Sequence, residues 1–208
     1  LRQPADLAKV EKEPQGGFSM PSARVMPHIS HLQPALDHWP AHMHSRASAV
    51  LMLFIPNPEP NAPARIVFTR RSTLVRTHKG QIGFPGGRRE EGDTSPIGTA
   101  LRETHEEIGL PPEAVEVLGM LPTLPSLDRR SVVPIVGYSH VDLTTLASNE
   151  DEVAELFALP WPSLSPESMQ NLRFNVFGLW RETPYFPASG YHVWGLTAWM
   201  LKTAALRS

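Results

Sequence analysis

The chain has 208 residues, is 41% hydrophobic and carries a formal net charge of −2. That length accommodates one sizeable core and leaves a second full domain cramped, and the acidic balance argues against a dedicated nucleic-acid binder, which is usually strongly basic. Cysteine is absent, which excludes disulfides, thiolate metal sites and a cysteine nucleophile and leaves chemistry to carboxylates and histidines.

Residues 1–44 are polar, with scattered Gly and Pro and no sustained period, and are read as a loosely ordered N-terminal extension ahead of a single domain at 45–208. Within the extension only His31 to Trp39 is expected to form a short helix. The opening thirty residues lack the apolar run of a secretory signal, and Ala49 to Ile55 falls far short of the roughly 18 to 20 apolar residues that span a bilayer. The expectation is a cytoplasmic protein with no membrane partner, its oligomeric state left open. Ala49 to Ile55 and Arg65 to Arg70 read as strands divided by Pro56-Asn57-Pro58-Glu59-Pro60.

Pro96 to Ile108 reads as a helix, with Ser95 as N-cap, Pro96 in the first turn, and Gly109 followed by Pro111 and Pro112 as its end. Ile97, Leu101 and Ile108 form its apolar stripe. Val115 to Leu121, Val132 to Val141 and Phe174 to Trp180 read as further strands, and Tyr191 to Leu206 as a C-terminal helix burying Val193, Leu196, Met200 and Leu201. This order predicts an α/β (α+β) fold, a mixed sheet covered by helices on both sides.

The chemistry concentrates on the Pro96 to Ile108 helix, where Arg102, Glu103, Glu106 and Glu107 are spaced to share one side. Charged helix surfaces are most often solvated faces with ordinary i, i+4 pairs. Two neighbours weigh against that here: the Gly86-Gly87 pair, whose backbone can approach a metal, and a loop carrying Glu90, Glu91 and Asp93. Crowded carboxylates call for a cation, and oxygen-only ligands point to Mg2+ or Mn2+. Just upstream, Arg65, Arg70, Arg71, Arg76, Lys79, Arg88 and Arg89 occur with no intervening acid. A basic stretch leading into an acidic helix is bipolar: one half can hold phosphate oxygens while the other holds cations bridging to the same phosphates. A nucleic-acid patch is the rival reading of the arginines, weakened by the net acidity.

Gly87 to Leu110 resembles the Nudix box, G-x5-E-x7-R-E-U-x-E-E-x-G-U with U aliphatic: Arg102, Glu103, Glu106, Glu107, Gly109 and Leu110 match its second half position for position. The first half is one residue longer, its central glutamate position holds Thr94 beside Asp93, and Thr104 stands at an aliphatic position. Phe68 to Gly87 is similar to the signature of the coenzyme A pyrophosphatase branch, roughly L-T-x-R-S-x3-R-x3-G-x3-F-P-G-G, with Thr69, Arg71, Ser72, Arg76, Gly80, Phe84, Pro85, Gly86 and Gly87 in place and Phe68 for the leucine.

The resemblance implies an α/β/α sandwich and metal-dependent hydrolysis of a small-molecule nucleotide: coenzyme A, and by extension acyl or oxidised coenzyme A, to 4′-phosphopantetheine and adenosine 3′,5′-bisphosphate. It implies Glu103 and Glu107 as shared metal ligands completed by Glu106 and the Gly87 carbonyl, Arg102 as the group orienting a neighbouring glutamate, and Arg70, Arg71 and Arg76 as substrate-binding cations. The proton acceptor is open between Glu106 and Glu152, the latter in an acidic loop with Glu150 and Asp151. Other diphosphates (ADP-sugars, NADH, dinucleoside polyphosphates) are the alternative substrates, and a nucleotide-sensing module the alternative without catalysis. His105 is expected on the surface, His140 and His192 in structural roles, and Trp161, Trp180, Trp194 and Trp199 in the core or at its rim, with an adenine-stacking platform as the rival reading for one of them.

Overall fold

The structure, a computed structural model, describes residues 32–40, 43, 47–75, 78–126, 130–176 and 178–205. At its centre is β1 (Ala47–Ile55), whose alternating side chains feed two different cores. Met52 and Phe54 point to one face of the sheet, and Ala47, Ala49, Leu51, Leu53 and Ile55 to the other. A strand buried on both faces reads as the unbroken apolar run seen in the sequence.

One edge of β1 runs parallel to β7 (Ser131–Tyr138), with Ala47 opposite Ser131 and Phe54 opposite Tyr138. The other edge is divided. Its C-terminal end pairs antiparallel with β2 (Arg65–Arg71), and its N-terminal end with β4 (Gly86–Arg88). β3 (Ile82–Gly83) and β8 (Val153–Pro160) flank β2, while β5 (Glu116–Met120) and β6 (Leu124–Pro125) pair with β7. With one parallel ladder among antiparallel ones, the eight-stranded sheet is mixed. A smaller sheet, in the order β11 (Tyr191–Trp194), β10 (Leu179–Ala188), β9 (Gln170–Val176), packs at one side.

Each face of the main sheet carries a helix. α1 (Pro96–Ile108) covers the face of Leu51 and Leu53 with Ala100 and Ile108, and α2 (Gly195–Ala205) covers the face of Met52 and Phe54 with Ala198, Met200, Leu201 and Ala204. This is the expected α/β/α layering. The α1 ends form as the sequence indicates: Ser95 accepts a hydrogen bond from the Gly98 N–H at 3.0 Å, and Gly109, in left-handed conformation at φ 72°, donates to the His105 carbonyl at 2.9 Å. Of the predicted apolar stripe Ile108 is fully buried, whereas Ile97 and Leu101 are half-buried against the core.

Three expectations are corrected. Residues 32–40 form no helix; Gln33 makes a single antiparallel bridge to Met120, and Trp39 donates its backbone N–H to Thr94 and its indole N–H to Thr99. His31 lies outside the described residues. Phe174 to Trp180 is not one strand but the tip of the β9–β10 hairpin, with Leu179 opposite Val176. The C-terminal helix starts only at Gly195: Tyr191–Trp194 is strand, and the break falls where Gly195 takes φ 67°. β8 was not anticipated, although Phe157 and Leu159, buried two residues apart on one face, carry the period of a strand; Val153, beyond the register shift, belongs to the opposite core.

Phe68 sits between two aromatic rings, Phe84 at 5.0 Å and Phe157 at 5.7 Å, both near parallel. Replacing it with alanine is expected to cost about 3–5 kcal/mol in chemical denaturation, and with leucine under about 1.5 kcal/mol, because leucine refills most of the volume.

Candidate active site

Two glycines place the backbone of β4 against β1 on one side and against α1 on the other. A Cβ on Gly86, which has φ 139°, would stand 2.5 Å from the Ala49 carbonyl oxygen, and one on Gly87 would stand 2.3 Å from Oε2 of Glu103. The Glu103 carboxylate therefore rests directly on the Gly87 backbone. One turn further along α1, Glu107 is 3% exposed, accepts the Gly86 N–H at 3.0 Å and lies 3.3 Å from an Nη of Arg71. The helix and the stretch before it are thus joined through one buried carboxylate.

Arg102 organises the outer half of the site. Its guanidinium forms paired bonds to Asp93, Nε to Oδ1 and Nη2 to Oδ2, each at 3.0 Å. It also reaches Glu103 at 3.0 Å, Glu106 at 2.9 Å and the Arg88 carbonyl at 3.0 Å. Asp93 in turn accepts from the Glu90 N–H and the Thr99 hydroxyl. Burial works to raise the Asp93 pKa, but the bonds from Arg102, Glu90 and Thr99 outweigh it and hold the carboxyl below its ordinary range. The loop acid next to the unmatched box position is therefore the anchor of the arginine, a role the sequence did not assign.

The three glutamates of α1 sit in unlike surroundings. Glu106 is 54% exposed at its side chain and paired with Arg102. Burial raises the Glu103 pKa against the pull of Arg102, with the charges of Glu106 and Glu152 adding to the rise. Glu107 is pushed up to about 7, chiefly by burial, against the Gly86 N–H and Arg71 and with the charges of Glu103 and Glu152. Thr104, at the position where an aliphatic residue is usual, is buried and returns its hydroxyl to the Ala100 carbonyl at 2.6 Å.

Glu152 reaches this cluster from a distant part of the chain. The Asn149 N–H donates to the Glu107 carbonyl at 2.9 Å and the Ser72 N–H to the Glu152 carbonyl at 2.8 Å, so the acidic loop is docked on both the end of α1 and the end of β2. Its charge acts on both Glu103 and Glu107. Of the candidate cations, Arg71 faces Glu107, Arg70 faces Glu155 on β8 at 3.0 Å, and Arg76 lies outside the described residues. His105, His140 and His192 are exposed.

These groups fit a divalent cation. They are oxygen donors only, Glu107 is buried and Glu103 half-buried, each repelled by the other or by Glu152, and the Gly87 backbone has no side chain to screen them. Among the described residues no three acidic or imidazole side chains are already drawn together as a closed cage, since Glu106 is turned to Arg102.

The NUDIX domain profile matches residues 45–177 of this chain. The chain belongs to the Nudix family. It is 40% identical over 177 residues to an uncharacterized Nudix hydrolase, NudL, of Pectobacterium atrosepticum, covering 81% of this chain and 85% of the relative. It is 36% identical over 170 residues to the NudL of Cronobacter sakazakii, covering 79% and 84%. Among solved structures, a Nudix hydrolase from M. smegmatis, RenU, aligns with TM-score 0.46 at 22% identity over 57% of this chain and 72% of its own. An Ap4A hydrolase binary complex from C. elegans aligns with TM-score 0.46 at 16% identity over 55% and 80%. As a Nudix hydrolase the protein cleaves a diphosphate in a nucleoside diphosphate-linked substrate, and enzymes of the family use divalent metal ions.

Two outcomes follow from the geometry. A carboxyl with a folded-state pKa raised to about 7 binds more protons folded than unfolded, so metal-free protein loses stability as pH rises from about 4.5 through 7. Thermal melts in EDTA are expected to fall over that window, to recover on adding Mg2+ or Mn2+, and to flatten in Glu107→Gln. Gly87→Ala displaces a flexible carboxylate rather than backbone, so it is expected to lower dication affinity, read by calorimetry, with little change in melting temperature.

Proposed function

We propose that the protein is a coenzyme A diphosphatase using Mg2+ or Mn2+. The observation that carries this reading is the meeting of the two signatures at Glu107: Arg71 and Gly86, from the stretch similar to the coenzyme A branch, both bind a carboxylate of the Nudix helix. Coenzyme A carries a diphosphate and a separate ribose phosphate, which suits a site with several cations along one strand and loop.

In this reading Glu103 and Glu107 hold the cation, with Glu106 and the Gly87 carbonyl completing its surroundings. The bound cation neutralises charge on the diphosphate and lowers the pKa of water beside it. Glu152 takes a proton from the attacking water, a role favoured over Glu106 because Arg102 already holds Glu106. Arg102, fixed by Asp93, positions Glu103 and Glu106 and touches no substrate. Arg71 and Arg76 supply charge-assisted hydrogen bonds to phosphate oxygens. Water adds to one phosphorus, the phosphoanhydride bond breaks, and 4′-phosphopantetheine and adenosine 3′,5′-bisphosphate leave.

Turnover of coenzyme A, ADP-ribose, NADH and diadenosine polyphosphates, compared with Mg2+ and with Mn2+, is expected to favour coenzyme A. A preference of about tenfold in kcat/KM for any other substrate overturns the assignment. Glu152→Gln is expected to lower kcat about 10²–10⁴-fold while dication binding persists, and Arg102→Lys to lower activity about 10–100-fold. Glu103→Gln and Glu107→Gln are each expected to abolish both turnover and tight dication binding. Intact turnover in those two variants sinks the reading.

A further inference from the structure

Residues 32–40 precede the part of the chain that the NUDIX profile matches, which begins at residue 45, yet they reach the acidic site. The segment wraps the β5 edge of the main sheet. Leu32 packs into the core beneath α2, Gln33 exchanges backbone hydrogen bonds with Met120 at 2.9 Å in each direction, and Leu36 packs into the core beneath α1. Gly119 admits it there, since a Cβ at that position would stand 2.7 Å from the Gln33 carbonyl oxygen.

The segment ends on Trp39, 3% exposed, which is bonded on both sides of the helix cap next to Asp93. Its backbone N–H donates to the Thr94 carbonyl at 3.0 Å, and its indole N–H to the Thr99 hydroxyl oxygen at 3.3 Å. An indole nitrogen can only donate, so the Thr99 oxygen accepts. The hydroxyl's single proton then favours Oδ2 of Asp93, charged and 2.8 Å away, over the Ser95 carbonyl at 3.3 Å. Thr99 is fully buried, so bulk water does not compete for these bonds. The same Oδ2 takes Nη2 of Arg102, and Arg102 reaches Glu103 and Glu106. A continuous hydrogen-bonded route thus runs from the indole through hydroxyl, carboxylate and guanidinium to two glutamates of the site. The loop that carries Asp93 is exposed at Glu90, Glu91, Gly92 and Thr94, and offers Asp93 one bond of its own, from the Glu90 N–H. The rest of its anchorage comes from α1 and, through Thr94 and Thr99, from Trp39.

We propose that Trp39 is a positioning residue of the hydrolase: docked ahead of the family's domain, it fixes Thr99 and the Asp93 loop, and through them the Arg102 fork that sets Glu103 and Glu106. The proposal rests on the reading in which Arg102 positions those carboxylates for its effect on turnover, but the coupling of Trp39 to Arg102 is measured without hydrolysis.

The test compares, in the full chain, Trp39→Phe, which keeps a ring and loses the donor, with Thr99→Val, which keeps the shape and loses the hydroxyl. In EDTA the Arg102 Nε–H, held by Asp93, is expected to give an NMR signal protected from solvent exchange, and to exchange about threefold to tenfold faster in Trp39→Phe, the span of one hydrogen bond. For the substrate turned over fastest, kcat is expected to fall by about the same factor in Trp39→Phe and at least as far in Thr99→Val, with KM nearly unchanged. Thr99→Ser is expected to restore it. The double variant is expected to be no slower than Thr99→Val alone, because both changes interrupt one route. A lowered melting temperature with kcat and the Arg102 signal unchanged overturns the proposal, and so do additive losses in the double variant. Where Trp39→Phe folds poorly, the unaltered protein decides: saturating Mg2+ is expected to move the Trp39 indole signal and leave that of Trp180, near the tip of the β9–β10 hairpin, in place. A stationary Trp39 signal overturns the proposal. Intact turnover in Arg102→Lys sinks the reading of Arg102 alone, while the exchange measurement still decides whether Trp39 is coupled to it.

Discussion

A buried carboxylate is the constraint around which this molecule is arranged. Glu107 lies on the core side of α1, and its burial is tolerated because the Gly86 N–H and Arg71 meet it from β4 and β2. An ionised group in such a place is costly without partners. The strand edge that supplies those partners exists because β1 gives up its pairing with β2 and takes β4 instead. The glycines of β4 then let α1 approach closely enough for Glu103 to lie on the backbone. Fold and site are in this sense one arrangement, since the exchange of ladder partners that shapes the sheet also builds the acidic surface.

Arg102 stabilises the neighbouring half in a different way. Its guanidinium is shared among Asp93, Glu103 and Glu106, so three anions are held at defined positions by one rigid planar cation. A lysine keeps the charge but not the fork. The site thus has two zones: an inner one where a carboxylate is desolvated and strained electrostatically, and an outer one where carboxylates are already neutralised.

Much of this was legible in the sequence because it is local. The α1 helix announces itself through Ser95, Pro96 and Gly109, β1 through its apolar run from Ala49 to Ile55, and β2 through Ile66, Val67 and Phe68. Glu103 and Glu107, which their spacing singled out, are the carboxylates that lie against the β4 glycines. What escaped was non-local. Nothing near Asp93 in the chain says that it pairs with a residue about two helix turns past the cap, and nothing near Glu152 says that its loop is fastened to Glu107 and Ser72 by backbone bonds. Backbone hydrogen bonds carry no side-chain signature. The C-terminal region was misread for another reason: Tyr191 to Ala205 is apolar enough to suit either a strand or a helix, and the change from one to the other is marked only by Gly195.

The parallel ladder between β1 and β7 has a consequence for how the chain reaches this state. β1 ends at Ile55 while β7 begins at Ser131, so the strand beneath the carboxylates gains its one long neighbour only after an interval of chain that includes β2, β4 and all of α1. Distant pairings of this kind slow the search for the native topology. Until β7 docks, the helix bearing the glutamates has no complete floor, and the acidic loop arrives later still. The acidic surface is therefore complete only once strands far apart in the sequence have paired, so a chain in which that ladder has not closed lacks the floor on which its carboxylates rest.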